Sequence, residues 1–81
     1  MSDHFSNRAT SKQLWKLNDL AYQRAILVNS IESLGGEVDI PPMLSMPMPL
    51  FKEAANNLIR VEIEKIGLLE EMKQLLLVEA K

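Results

Sequence analysis

The chain has no cysteine and a single histidine, His4. The first absence excludes disulfides, and the two together leave almost nothing for a zinc site, which draws mainly on thiolates and imidazoles. No apolar run approaches the roughly 18 residues needed to span a bilayer. Met1-Ser2-Asp3-His4-Phe5 lacks the basic-then-apolar order of a secretion signal, so with zero cysteines the expected location is cytoplasmic. A basic excess is also missing: 9 Lys and Arg stand against 11 Asp and Glu, a formal net charge of −2. That balance argues against a dedicated nucleic-acid binder, and binding of nucleic acid by a helical dimer is the weakest functional reading. Nothing resembles a catalytic set: the only histidine, His4, is near the N-terminus in the polar lead-in, and no Ser/His/Asp set is available beyond it. Gly35-Gly36 stands alone after a helical stretch rather than after a strand, so it is no phosphate loop. The Glu-x-x-His pattern of di-iron bundles is absent too. The expectation is therefore no enzyme, no cofactor and no metal.

What is present is ordinary for a folded chain: 81 residues, 47% hydrophobic and 25% charged. At this size one core rarely supplies more than about 3–5 kcal/mol, and without disulfide or metal the remaining support is a partner subunit.

The pattern is all-α: two helices and a proline-rich elbow in a single domain, 10–81, behind a polar lead-in, 1–9. Thr10 with Gln13 three residues on makes a capping box, and residues 11–34 run without proline or glycine. Leu14, Leu17, Ala21, Val28 and Ile31, with Leu20 and Ala25 alongside, recur at helical spacing. Gly35-Gly36 ends the helix. The elbow, 35–48, carries Pro41, Pro42 and Pro47, and Pro49 suits the first turn of a second helix over 49–79. Such a connection is long where about 2–8 residues join most helix pairs, so it lies along the helices or presents something. Phe51, Ala55, Leu58, Ile59, Ile63, Ile66, Leu69, Met72 and Leu76 form the main stripe of the second helix. Gly67 within it would let another helix come close.

Two helices with one connection are expected to fold back as an antiparallel hairpin. That hairpin has surplus apolar surface: Val61, Leu68 and Leu75 flank the main stripe of helix two, and Trp15, Tyr22 and Ile26 form a second stripe on helix one. Surplus of this kind predicts a homo-oligomeric helical bundle, most simply a dimer of four helices, with Leu58, Val61, Ile66, Leu69 and Leu76 at the seam. Glu62 and Lys65, three residues apart inside the apolar arc, pair with each other or across subunits and set register, with Lys73 on the same side.

Three surfaces are candidates for function. Trp15, Tyr22 and Ile26 suit a partner protein, since Trp and Tyr dominate interface energetics. Met43, Met46 and Met48 in the elbow form a soft, adaptable surface for the same purpose; the spacing also suits Cu(I), although nothing else supports a copper site. Arg8, Lys12 and Lys16 continue His4 at four-residue steps and could hold a small anion such as a nucleotide, with Tyr22 as a stacking surface. In size and layout the chain resembles short helical hairpins among bacterial and phage accessory proteins, a likeness of shape that carries over no residue roles. The leading expectation is a non-catalytic adaptor, inhibitor or assembly factor that docks by helix faces as a homo-oligomer. Sequestration of a small anionic ligand is the alternative.

Overall fold

A computed structural model of the chain describes residues 8–41 and 50–79. It contains two helices, α1 over Ser11–Ser33 and α2 over Lys52–Glu79, packed against each other. Among the described residues no strand forms; the one β feature is an isolated antiparallel bridge between Arg8 and Phe51. Neither helix is long and apolar enough to cross a membrane.

The ends of α1 follow its sequence closely. Gln13 N–H donates to Thr10 Oγ1 at 3.1 Å, and Thr10 N–H donates back to Gln13 Oε1 at 2.8 Å, which completes the capping box. At the other end Gly35 takes a φ of 88°. Its N–H donates to Glu32 O at 3.0 Å, and Gly36 N–H donates to Ile31 O at 2.9 Å. These two bonds satisfy carbonyls that the last turn leaves open, in the pattern that needs a left-handed residue after the cap. The start of α2 comes later than expected, at Lys52 rather than at 49. Phe51 is held in the bridge to Arg8, and its carbonyl accepts the first helical bond, from Ala55 N–H at 2.9 Å.

The relative direction of the helices differs from expectation. Gln13, near the start of α1, donates from Nε2 to Lys52 O at 3.1 Å and to Asn56 Oδ1 at 2.7 Å, near the start of α2. Midway, Arg24 Nη1 lies 3.7 Å from Glu62 Oε2. At the end of α1, a Cβ built on Gly36 would fall 2.6 Å from Leu76 Cδ1. The partners rise together along both helices, so α1 and α2 run parallel and the antiparallel orientation is corrected. The physical reason lies in the connection. To start α2 beside the start of α1, the chain must return the length of a 23-residue helix, about 35 Å at 1.5 Å per residue. Residues 34–51 reach about 60 Å when extended, ample for that return and far more than an antiparallel turn needs. Pro41 O already accepts a 2.7 Å bond from Arg24 Nη1, so by residue 41 the connection is back beside the middle of α1.

The seam between the helices alternates steps of three and four residues, the repeat of coiled-coil packing. On α1 it passes through Gln13, Leu17, Leu20, Arg24, Leu27 and Ile31; on α2 through Ala55, Ile59, Glu62, Ile66, Leu69, Lys73 and Leu76. Leu17, Leu20, Ile31, Ala55, Ile66 and Leu69 form the buried core. Leu14, Ala21 and Val28 of the expected α1 stripe are only half-buried, and Ala25 faces solvent. The place expected for an apolar group in the middle of the seam belongs to Arg24.

Candidate functional site

Two features of this helix pair bear on function: a charged cluster inside the seam and an apolar face outside it. The cluster is built by the seam itself. Glu62 is fully buried and Arg24 is 8% exposed. Lys65, one turn along α2 from Glu62, donates from Nζ to Glu62 Oε1 at 3.1 Å. Arg24 approaches the other oxygen, Oε2, at 3.7 Å, too long for a hydrogen bond, and among the described residues Oε2 has no hydrogen-bond partner. The guanidinium spends its short bond on Pro41 O instead. One arginine therefore ties together α1, the returning connection and α2. Buried ion pairs add little net stability compared with apolar packing, but losing one partner is costly, so their best-attested role is to select one register. The pairing of Glu62 with Lys65 was expected; Arg24 was not. Its signal is its spacing, seven residues after Leu17 and seven before Ile31.

The apolar face lies on the opposite side of α1. Trp15 and Tyr22 are 71% and 68% exposed, and Ile26 is exposed beside them. At 100° per residue Trp15, Tyr22 and Ile26 fall within about 40° of one another and nearly opposite the buried positions. A shallow hollow between Trp15 and Tyr22 is lined by Asn18, Asp19 and Ala21. The face is preformed on a helix rather than a loop.

The expected basic stripe is only partly gathered. Lys12 and Lys16 line an open groove with Trp15, Gln13 and Asp19 of α1 and with Asn56 and Ile59 of α2. Arg8 sits in the bridge to Phe51 instead of in that groove. Asp19, which accepts from Gln23 Nε2 at 2.8 Å, puts a negative charge among the lysines. His4 lies outside the described residues, as do Met43, Met46 and Met48.

The residues expected at an oligomer seam divide into two groups. Ile66 and Leu69 are consumed in the core between α1 and α2, and Leu76 packs at its far end beside Gly36, so these three serve the chain's own seam. Leu58 is half-buried, and Val61 remains exposed with Leu68 and Leu75. They were grouped at one seam because a single wide apolar arc on α2 does not show where α1 will lie. Gly67 has nothing among the described residues within 4 Å of a Cβ placed there, so α1 does not use the notch. No family model, curated protein or solved structure matches the chain.

Proposed function

We propose that the chain is a non-catalytic protein-interaction module that self-associates and docks another protein through the outer face of α1. One observation carries this reading: a tryptophan and a tyrosine seven residues apart, both about two-thirds or more exposed, on the side of a helix that its own partner helix leaves free. Fully burying such side chains stabilises by about 1.5–3 kcal/mol each, and contiguous apolar patches on folded proteins commonly mark interfaces. The groove next to Trp15 brings the polar ends of Lys12, Lys16, Asp19 and Asn56 to the edge of this face, the kind of rim that such contacts usually have. The test is a double substitution, Trp15→Ala with Tyr22→Ala. Helicity and denaturation midpoint should stay as in the parent, while capture of a partner protein on the immobilised chain is lost. Undiminished capture by the double variant would overturn the reading.

A second reading, sequestration of a small anion such as a nucleotide, draws on Lys12 and Lys16 converging on the groove beside Trp15. A ligand held there must raise the melting temperature by mass action. A flat thermal-shift response to nucleotides at millimolar concentration would remove this reading and leave the first untouched.

A further inference from the structure

We infer that a second copy of this chain covers the Val61–Leu68–Leu75 stripe of α2, with the two α2 helices side by side and pointing the same way. This rests on the self-association proposed above and specifies its face and direction. Val61, Leu68 and Leu75 recur every seven residues and are all exposed. They share one line along α2 at 100° per residue, well away from the line of Ala55, Glu62, Ile66 and Leu69 that packs on α1. With Met72 between Leu68 and Leu75 the stripe takes the steps of four and three that pair two helices, and Lys65 holds the corresponding place between Val61 and Leu68, where a single charged residue sets register at a cost in stability.

The surface area fits a second copy. The chain exposes 6250 Å². A compact monomer of its 9.2 kDa exposes about 4,900 Å², so the excess is about 1,300 Å². A standard stable interface covers about 800 Å² on each partner; the excess belongs to the whole elongated chain, so it leaves room for a second copy, and the charges along α2 decide where that copy sits.

Charge selects the direction. Lys65, which also donates to Glu62, lies on one flank of the stripe; Glu64 and Glu71 lie on the other, with Arg60 farther round on that side. In a two-fold pair with helices pointing the same way, unlike flanks meet, so Lys65 of each copy faces the glutamate flank of its mate. In an opposed pair centred on Leu68, like flanks meet, and Glu64 of one copy lies level with Glu71 of the other. Facing charges of unlike sign favour the first arrangement and like charges disfavour the second. The aromatic face of α1 stays outside this contact, because it points away from α2.

The absence of cysteine makes the test direct. Val61→Cys, Leu68→Cys and Leu75→Cys are made singly, with Ile26→Cys as the control on the outer face of α1. Each is mildly oxidised and run without reductant, and the parent is sized by light scattering over a dilution series. The expected result is a dimer in which all three α2 variants link to themselves while Ile26→Cys does not. Leu68→Lys, at an exposed position, should keep the parent's helicity and weaken the dimer at least tenfold. Linking of Val61→Cys only in mixture with Leu75→Cys would overturn the shared direction. A dimer indifferent to Leu68→Lys would overturn the face and leave self-association standing. A monomer at every concentration would overturn both this inference and the self-association, and leave the Trp15 face to be judged by partner capture alone.

Discussion

The two ends of the helix pair are held by different chemistry. Where both helices start, the contacts are directional and partly wet: the Gln13 amide bonds Lys52 O and Asn56 Oδ1, and Arg8 bridges Phe51. Where α1 finishes, the contact is apolar and close: Ile31 is fully buried, and Gly36 is pressed between Ile31 and Leu76. The first end specifies which residues meet. The second removes apolar area from water, which is the larger favourable term. Between them the Arg24–Glu62–Lys65 cluster sits in the dry middle and shares the specifying role of the polar end.

The middle offers the largest effect. Arg24→Met leaves the Glu62 carboxylate with Lys65 alone and Pro41 O without its donor, and should cost about 3–5 kcal/mol in chemical denaturation. Arg24→Met combined with Glu62→Leu should recover most of that loss, since an apolar replacement of a buried pair is often neutral or better. If the double variant is as unstable as the single one, the cluster is a stability element rather than a register device. At the apolar end, Ile31→Ala should cost about 2–5 kcal/mol by lost burial and cavity formation. Next comes Gly36→Ala. Its methyl would fall 2.6 Å from Leu76 Cδ1 and 2.7 Å from Ile31 Cγ2, and overpacking of this kind costs about 1–3 kcal/mol, read as a lower melting temperature. At the polar end, Gln13→Ala removes the capping-box return and both bonds to α2 in an exposed setting, for about 1 kcal/mol. A larger loss from Gln13→Ala than from Ile31→Ala would break the comparison between the ends.

Much of the local structure was readable before any packing was known. Thr10 and Gln13 announce the start of α1, and Gly35 and Gly36 announce its end, because caps are made by residues close in sequence. The pairing of Glu62 with Lys65 was readable for the same reason, one helical turn apart. Trp15, Tyr22 and Ile26 were marked as a separate stripe by spacing, and the structure leaves them exposed. Arg24 was passed over because a charge in an apolar stripe reads as solvent-facing until its partner, thirty-eight residues on, is in place. Ile66, Leu69 and Leu76 were given to an oligomer seam because the apolar arc of α2 is wide enough for two neighbours, and periodicity does not say which neighbour takes which side.

The sequence by itself determined that the chain is two long helices, where α1 begins and ends, and that more apolar surface exists than one helix pair can cover. Each of these follows from propensity, capping and periodicity, which act within a few residues. Only the tertiary structure decided that the helices run the same way, that Arg24 is buried against Glu62 and Pro41, and which apolar stripes are left outside. Those outcomes depend on where the connection lies, and its length permitted both directions. The parallel one is the arrangement in which the returning chain meets Arg24, and in which Arg24 and Glu62 face each other instead of water.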